Sequence, residues 1–232
     1  MNLIEFENFS CYYKVKKEYI TALEGITLSV KQGELLVILG QSGSGKSTLL
    51  KCILGQGEYI SGSLTVDGVP IDDFRLQESN MGYIPQAFNL YPHLTVYDNI
   101  AFPLRMIHTP QAEVDQRVKE LAKLLEVDFL LTRKPRQLSG GQLQRIAIAR
   151  ALIKNPVCIL MDEPFSNIDP ALHTQLRQLV KKIHKIYGCT ILFVSHDPVD
   201  AYNLADRVAI LNGGKIEAID TPQQLLEKGL LQ

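Results

Sequence analysis

Three short apolar runs stand out in the pattern of hydrophobic and polar positions along the chain. They cover residues 35–39, 157–161 and 189–194, and each is followed at once by glycine-rich or polar residues. Continuous apolar runs of this length are typical of strands buried on both faces of a parallel sheet. Ligands of such sheets bind at the carboxyl ends of the strands. The pattern therefore predicts that the polar residues after these runs converge on one site.

Shorter alternating patterns predict a second group of strands. Residues 3–9 and 20–30 alternate apolar and polar side chains, which is typical of antiparallel strands. Comparable short segments follow at residues 61–68, 81–84, 207–211 and 215–219. We expect an N-terminal antiparallel β portion together with a mixed central sheet.

Two helices are predicted in the middle of the chain, at residues 95–107 and 110–126. Apolar residues fall on one face of each segment, and Thr109 is expected to cap the second helix with Pro110 at its first position. We interpret this part as a helical subdomain. It is inserted at about 88–137 into a core formed by 1–87 and 138–232, and the whole chain forms a single α/β domain.

Three further helices are predicted toward the C-terminus. One covers residues 144–153, one begins at Asp169 and Pro170, and a short one is capped by Thr221. The second of these helices has a single apolar stripe, made of Leu172, Leu176, Leu179, Val180, Ile183 and Ile186.

Composition narrows the possible functions. With 232 residues, 46% of them hydrophobic, the chain can bury a substantial core without disulfides. The formal net charge is −1 and no dense basic segment occurs, so no nucleic-acid partner is predicted. No apolar run reaches the ~18 residues of a membrane span, and we expect the chain not to enter the membrane itself. Four dispersed cysteines are expected to be reduced and buried: Cys11, Cys52, Cys158 and Cys189.

The first apolar run leads into a segment that we call the glycine-rich loop (residues 40–48). Its residues are Gly40, Gln41, Ser42, Gly43, Ser44, Gly45, Lys46, Ser47 and Thr48. The spacing G-x-x-x-x-G-K-S, between a strand and a helix, is typical of a loop whose backbone N–H groups surround a polyphosphate. Lys46 is then placed to reach the β- and γ-phosphates, and the Ser47 hydroxyl is placed to bind Mg²⁺.

Asp162, Glu163 and His196 follow the other two apolar runs. Adjacent acids at a strand end suit a division of work in which one carboxylate holds Mg²⁺ and the other polarises a water molecule. A surface charge pair is the simpler interpretation, but acids directly after five apolar residues are rarely incidental. His196 alone would more often be a core histidine; its position after a matching strand favours a role near the γ-phosphate.

A second anion-receptive helix start is predicted at residues 138–142, whose sequence is Leu-Ser-Gly-Gly-Gln. Taken together, these motifs resemble those of the ATP-binding subunit of an ATP-binding cassette (ABC) transporter over nearly the whole chain. The matches, in order, are the Walker A loop at 40–48, the Q-loop Gln86, the signature at 138–142, the Walker B strand at 159–163, the D-loop at 166–169 and the switch histidine His196.

The resemblance implies a P-loop NTPase fold of the ABC type, with ATP and Mg²⁺ as ligands. In the family two cassettes meet head to tail, and a homodimer is the expected form here. Glu163 would be the general base, Gln86 would sense Mg²⁺ and the attacking water, and His196 would reach the γ-phosphate. Ser47, Gln86 and Asp162 would serve Mg²⁺, and the ATP of the partner chain would be contacted by Ser139, Gly140, Gly141, Gln142 and Asp169.

An aromatic residue stacks on adenine in this family, and Tyr13 falls at that position, with Tyr12 as the alternative.

Two segments, 91–96 and 163–167, are similar to cassettes of importers for sugars, polyamines and polar amino acids. The segment between Tyr13 and Ala22 resembles that of lipoprotein or macrolide exporters, so export is the alternative. Asn167 and Ile168 depart from the Ala and Leu that are usual in the D-loop.

Membrane permease subunits and a solute-binding protein are the further partners that the resemblance implies, with the cassette on the cytoplasmic face of the membrane. Residues 87–105 carry many apolar and aromatic side chains for a solvated connection. We expect some of these side chains to pack internally and the rest to line a groove that receives a permease helix. The set is Phe88, Leu90, Tyr91, Leu94, Tyr97, Ile100 and Phe102.

Overall fold

The computed structural model describes residues 1–15, 18–57, 59–73 and 80–231. Lys16 and Lys17, in the segment that resembles exporters, lie outside the described residues. Two compact units make up the chain. The first unit consists of residues 1–79 and 188–232, and the second of residues 80–187. The boundaries of the helical subdomain, 88 and 137, stay a prediction.

Strands and helices alternate along most of the chain. The strands are β1 (Asn2–Val15), β2 (Glu18–Lys31), β3 (Leu35–Leu39), β4 (Tyr59–Val66), β5 (Val69–Pro70), β6 (Met81–Ile84), β7 (Cys158–Asp162), β8 (Thr190–Ser195), β9 (Arg207–Asn212) and β10 (Lys215–Asp220). The helices are α1 (Lys46–Ile53), α2 (Val96–Met106), α3 (Gln111–Leu124), α4 (Gly140–Leu152), α5 (Pro170–Tyr187), α6 (Pro198–Leu204) and α7 (Pro222–Glu227).

An antiparallel sheet in the first unit has the strand order β2-β1-β4-β5. Phe6 and Phe9 of β1 are both buried, and their rings meet edge to face with centroids 5.2 Å apart. They are three residues apart, so strict alternation would separate them, but the pairing of β1 with β2 shifts register between the two residues. The predicted N-terminal antiparallel portion is confirmed. Both strands are longer than the alternation indicated.

A mixed sheet, also predicted, lies in the same unit with the order β10-β9-β3-β8. β3 pairs in parallel with β8 on one side and with β9 on the other, and β10 pairs antiparallel with β9. All five residues of β3 are buried, as the continuous apolar run predicted.

Polar groups anchor the start of β3. Glu34 is buried, and its Oε1 accepts a hydrogen bond from Arg207 Nε at 2.7 Å. Its other oxygen accepts from the backbone N–H of Lys31 at 2.7 Å. Asp206 Oδ2 accepts from the Leu35 N–H at 2.8 Å, so the residues before β9 also hold the first residue of β3.

The second unit contains the parallel pair β6 and β7 and four of the helices. The loop before α2 is organised by Asn99, which is fully buried. Its side chain bonds both backbone groups of Tyr91, at 2.8 and 3.1 Å, and the Thr95 carbonyl at 2.9 Å. Thr95 is the N-cap of α2, and its hydroxyl accepts a hydrogen bond from the Asp98 N–H.

Two local predictions about the helices were wrong. Pro110, not Thr109, is the N-cap of α3: its ψ of 138° is extended, and its carbonyl accepts from the Glu113 and Val114 N–H groups. α4 begins at Gly140 instead of residue 144, because Ser139 caps it. The apolar stripe of α5 is buried at Leu176, Leu179, Val180 and Ile183, whereas Ile186, in the last turn, is 54% exposed.

All four cysteines are buried and none forms a disulfide, which agrees with the expectation from their dispersed positions. Burial raises the pKa of the Cys52 thiol and raises that of Cys189 to about 11. Of the helices in the described residues, none has the length and apolar character to span a bilayer.

The anchor at the start of β3 predicts the effect of Arg207→Ala. Removing the guanidinium leaves the buried Glu34 carboxylate without its cationic partner, so the free energy of unfolding should fall by about 2–3 kcal/mol. Urea denaturation followed by circular dichroism measures this. The control is Lys215→Ala, which removes an ion pair whose side chains are both more than half exposed and should leave the midpoint almost unchanged. Equal midpoints for the two variants would contradict the anchor.

Candidate functional site

The glycine-rich loop joins β3 to α1 in the first unit. Its first residue, Gly40, has no room for a side chain, since a Cβ there would lie 2.2 Å from the Leu211 carbonyl oxygen. Gly43 has a different constraint: the space around it is open, but its φ of +82° is a left-handed conformation that glycine adopts without strain. The loop therefore needs glycine at the two positions for two separate physical reasons.

Lys46 closes the loop on itself. Its Nζ donates to the carbonyl oxygens of Gly40, at 2.9 Å, and Gln41, at 2.8 Å, and the residue is only 4% exposed. A buried ammonium group is thus held at the centre of the loop, with Ser47 and Thr48 in the first turn of α1. Positive charge at a helix start favours a bound anion.

Two further observations fit a phosphate ligand. The buried Ser44 hydroxyl has no hydrogen-bond partner within the part of the chain that the structure describes. No side chain in the described ranges caps α1 at Gly45, and the first turn of α1 contains no acid. Buried polar groups normally have partners, and the orphan N–H groups of a helix start need an acceptor, so both features point to an anion at the loop.

His196 lies beside the glycine-rich loop. β3 and β8 run in parallel with Leu39 opposite Ser195, and the Gly40 N–H donates to the Ser195 carbonyl at 3.2 Å. His196 follows directly and is exposed. The structure therefore brings the loop and the histidine together, as the ends of the two apolar runs predicted.

Tyr12 and Tyr13 are neighbours in β1, opposite Thr21 and Ile20 of β2. Both are half-buried. Successive strand residues point to opposite faces, so only one of the two rings can stack on a base lying against the sheet.

The carboxylates of the second unit lie at the end of β7. Asp162 is buried, and the Tyr83 hydroxyl of β6 donates to its Oδ2 at 3.5 Å. Burial and the nearby Asp162 raise the pKa of Tyr83 to about 12, so the phenol stays protonated and is a donor. The sequence analysis did not identify Tyr83. Its hydrogen bond to Asp162 depends on the register of β6 against β7, which places Tyr83 opposite Leu160.

Glu163 follows with an unusual backbone. Its φ of 44° is left-handed, a conformation that costs a non-glycine residue free energy and is found most often at functional sites. Its carbonyl accepts from both the N–H of Ser166, at 3.2 Å, and the Ser166 hydroxyl, at 3.0 Å. This turn fixes the direction in which the Glu163 side chain leaves the strand.

Gln86 is held by the D-loop. Its strand β6 ends beside β7, with Ile84 opposite Met161, and the Asn167 side chain donates to the Gln86 carbonyl at 3.0 Å. Asp169, at the end of the same loop, accepts from the Ala171 N–H at 2.9 Å at the start of α5. Asn167 was noticed in the sequence only as a departure from the family pattern. That departure was the signal, since alanine has no donor to offer Gln86.

The segment 138–142 forms the start of α4. Ser139 and Gln142 cap the helix reciprocally: the Gln142 N–H donates to the Ser139 hydroxyl at 3.4 Å, and the Ser139 N–H donates to Gln142 Oε1 at 3.0 Å. Gly140 and Gly141 lie in the first turn. A Cβ at Gly141 would approach Leu172 to 3.1 Å, so this turn packs closely against α5.

The donor set determines which metal fits. Within the described residues, no three His, Cys, Asp or Glu side chains form a cluster that could hold an ion. Mg²⁺ needs only one or two carboxylates when phosphate oxygens and water complete its shell. The hydroxyl of Ser47, the amide oxygen of Gln86 and the carboxylate of Asp162 are oxygen donors of this kind, so they fit Mg²⁺ bound together with a polyphosphate. Convergence of the glycine-rich loop with Asp162 and Glu163 stays a prediction.

The family model described as "ABC transporter" matches residues 23–166. Among curated proteins, the chain is 41% identical over 208 residues to the sn-glycerol-3-phosphate import ATP-binding protein UgpC of Rhizobium meliloti, and 42% identical over 215 residues to the trehalose/maltose import ATP-binding protein MalK of Thermococcus litoralis. Each match covers 90% of this chain but only 60% and 58% of those proteins. The chain therefore spans about three fifths of their length.

Solved structures agree with this match. The chain is similar to a structure described as a dimeric post-hydrolysis state of the ATP-binding cassette MJ0796 bound to ADP and Pi, with 34% identity and a TM-score of 0.83. That match covers 94% of this chain and 98% of the other. A second dimeric structure of MJ0796, described as a bacterial ABC transporter cassette, gives a TM-score of 0.84 at the same identity and coverage.

The two constraints on the loop glycines predict different effects of alanine. Gly40→Ala forces a Cβ into the Leu211 carbonyl, and the free energy of unfolding should fall by about 3 kcal/mol. Gly43→Ala meets no atom within 4 Å and adds only left-handed strain, about 1 kcal/mol. Urea denaturation of both variants measures the difference. Equal losses would show that packing against Leu211 does not constrain the loop.

Proposed function

The chain belongs to the ABC transporter family, and on that premise we propose that it is an ATP-hydrolysing cassette that powers transport by a membrane permease. The observation that carries the proposal is the glycine-rich loop with its buried Lys46. Among the described residues, none bonds to the buried Ser44 hydroxyl and no side chain caps the start of α1. This arrangement suits a polyphosphate. Asp162 and Glu163 at the end of β7 supply the acids that hydrolysis needs.

Nucleotide binding would divide between the loop and an aromatic ring. Backbone N–H groups of residues 40–48 would bind the phosphates, and Lys46 would exchange its bonds to Gly40 and Gln41 for phosphate oxygens. Tyr13, or its neighbour Tyr12, would stack on the adenine. Mg²⁺, when bound, neutralises charge on the β- and γ-phosphates. Ser47, Gln86 and Asp162 would hold it, with Tyr83 orienting the Asp162 carboxylate.

Hydrolysis would use Glu163 as the general base. Its carboxylate takes a proton from water as the water oxygen attacks the γ-phosphorus, and the bond to the β–γ bridging oxygen breaks to give ADP and phosphate. His196 would donate a hydrogen bond to the γ-phosphate. Gln86 would position the water. The Ser166 contacts that hold the Glu163 carbonyl would keep the base in one direction throughout the cycle.

A second copy of the chain would complete each site. Ser139, Gly140, Gly141, Gln142 and Asp169 are proposed to contact the ATP bound by the partner chain. The dimeric structures of the similar cassette MJ0796 support a paired arrangement. The capping hydrogen bonds between Ser139 and Gln142 would have to break before the Ser139 hydroxyl could bind a phosphate.

Import is the direction we propose, with a small polar solute as the cargo and the cassette at the cytoplasmic face of the membrane. The relatives described above are named as import ATP-binding proteins, which favours import over the exporter alternative. A solute-binding protein would then deliver the cargo to the permease. The solute itself is recognised by those partners.

A groove in the second unit is the proposed docking site for a permease helix. It has a volume of about 350 Å³, and its lining includes Tyr83, Pro85, Tyr91, Phe102 and Arg150. Of the seven residues expected to pack or to line a groove, Tyr91 and Phe102 line it and Ile100 is fully buried. The centroid of the Tyr91 ring lies 4.7 Å from that of Phe102, and Arg150 donates a hydrogen bond to the Asn89 carbonyl at 2.7 Å. Contacts among the lining residues therefore stabilise the shape of the groove.

The proposed roles of Glu163 and Lys46 predict different effects of two variants on nucleotide binding. Glu163→Gln should bind MgATP normally and lose at least about 100-fold in hydrolysis rate, because the base is gone while the phosphate ligands remain. It should also accumulate as a dimer with MgATP in size-exclusion chromatography. Lys46→Ala should lose nucleotide binding, since it removes the cation buried in the loop.

Phosphate release and equilibrium binding of a fluorescent ATP analogue measure the two steps separately. Wild-type hydrolysis by purified Glu163→Gln would show that another group is the base. A protein that binds no nucleotide in any form, wild type included, would exclude the ATPase proposal altogether.

The groove predicts the effect of Tyr91→Glu on assembly. Tyr91 is 37% exposed, and an acid in its place removes an aromatic anchor from the groove. Retention by the permease that copurifies with the wild-type chain should fall about 30-fold, equivalent to ~2 kcal/mol, while ATPase activity of the isolated chain persists. Phe129→Glu is the matched control, an exposed aromatic outside the groove lining. Unchanged retention of a folded Tyr91→Glu chain would rule out this docking site.

A further inference from the structure

We propose that Ser195 and Asp200 are positioning residues for ATP hydrolysis: a buried hydrogen bond between them fixes the turn that carries His196. The same serine also connects that turn to the first residue of the glycine-rich loop. The inference rests on the proposed function, in which His196 contacts the γ-phosphate. Neither Ser195 nor Asp200 belongs to the ligand-contacting set described above.

The two side chains form a short, buried contact. Ser195 is the last residue of β8 and Asp200 lies in the first turn of α6. Ser195 Oγ donates to Asp200 Oδ2 at 2.6 Å, and the residues are 4% and 3% exposed. A hydrogen bond shielded from water is stronger and more directional than one at the surface, and a buried carboxyl that lost it would be costly to keep. The pair is therefore a rigid link across the turn.

The backbone of the turn is tied to the same hydroxyl. The Asp197 N–H donates to Ser195 Oγ at 3.0 Å, so the hydroxyl accepts from one side of His196 while its own proton goes to Asp200. The Asp200 N–H donates to the Asp197 carbonyl at 3.1 Å. The bond from Asp197 to Ser195 spans His196, and the bond from Asp200 to Asp197 holds the residue that follows it. The backbone on both sides of His196 is therefore restrained.

Ser195 also contacts the glycine-rich loop. Its carbonyl accepts from the Gly40 N–H at 3.2 Å, and Gly40 is itself packed against the Leu211 carbonyl. One residue thus sets the distance from the first loop residue to the backbone of His196. Moving Ser195 would move His196 relative to any phosphate bound in the loop.

Capping of α6 is the simpler explanation for an acid at position 200. Asp197 already performs that role as the N-cap residue, since its Oδ1 accepts from the Val199 N–H at 2.9 Å. The Asp200 carboxyl is directed back to β8. The two roles can be separated by removing the Ser195 hydroxyl. A positioning role predicts a lower hydrolysis rate, whereas a capping role predicts no specific effect on the rate, because the cap of α6 does not include Ser195.

The test compares Ser195→Ala with Ser195→Thr and with Thr190→Val. Thr190 is the control because it lies at the other end of β8, is fully buried, and uses its hydroxyl to accept from the Gly33 N–H at 2.9 Å. Removing a hydroxyl from either end should lower stability. Only Ser195→Ala should lower kcat, by about 10- to 100-fold with KM changed less than about 3-fold, as expected for a displaced catalytic group. Ser195→Thr keeps the hydroxyl and should restore kcat to within about 3-fold of wild type.

Hydrogen–deuterium exchange provides a readout that does not depend on activity. The Asp197 amide, which bonds to Ser195 Oγ, should exchange at least about 10-fold faster in Ser195→Ala and at the wild-type rate in Thr190→Val. If Ser195→Ala does not fold, Asp200→Ala carries the test through kcat, because it removes the acceptor of the Ser195 hydroxyl while Asp197 still caps α6. A lower kcat with faster Asp197 exchange supports the proposal.

A kcat for folded Ser195→Ala equal to that of Thr190→Val would overturn the positioning role. His196→Ala separates this failure from failure of the proposed function. If the wild type hydrolyses ATP and His196→Ala does not, the function stands and only the Ser195–Asp200 role is lost. If the wild type hydrolyses no ATP, the proposed function itself is excluded.

Discussion

The first unit depends on the complete burial of one five-residue strand. β3 has parallel partners on both sides, so its backbone groups are paired in β8 and β9 and its side chains are enclosed on both faces. A strand in this position cannot slip, because a shift of one residue would break both ladders and turn every side chain to the opposite face. Glu34, Arg207 and Asp206 hold its start and the Gly40–Ser195 bond holds its end. The glycine-rich loop therefore begins from a defined point.

The two helix starts proposed to meet phosphate are built differently. The N-cap of α1 is Gly45, and none of the side chains that the structure describes caps this helix, whereas at the start of α4 Ser139 and Gln142 cap each other. An uncapped start gains acceptors when an anion arrives, and a capped start must first give up its own. Under the proposed function, phosphate binding at the loop therefore requires no exchange of side-chain capping bonds at α1. Contact of the Ser139 segment with a nucleotide requires an exchange of hydrogen bonds, which is suited to a step that occurs only when two chains close.

Side-chain to backbone hydrogen bonds connect the functional segments of the second unit. Ser166 holds the carbonyl of Glu163, and Asn167, the next residue, holds the carbonyl of Gln86. Two adjacent residues of the D-loop thus connect the Gln86 segment to the turn that carries Glu163, the proposed general base. Pro85, which precedes Gln86, lines the groove proposed to receive a permease helix. The proposed docking groove, Gln86 and Glu163 are therefore connected through neighbouring residues of the second unit.

The sequence by itself determined the strands, most of the helices and the identity of the site segments, because strand alternation, helical periodicity and the spacing of glycine, lysine and acid are local properties of the chain. It located the loop at 40–48, the acids after the 157–161 run and the histidine after the 189–194 run. Only the tertiary structure decided the contacts that orient them. Tyr83 meets Asp162 and Asn167 meets Gln86 across 79 and 81 residues, and those pairs follow from strand register and loop path, which no local pattern encodes. Backbone geometry likewise decided that Pro110 is the N-cap of α3 and not its first residue. Packing decided the exposure of Ile186, since periodicity assigns a residue to a face of a helix but does not say whether anything covers that face.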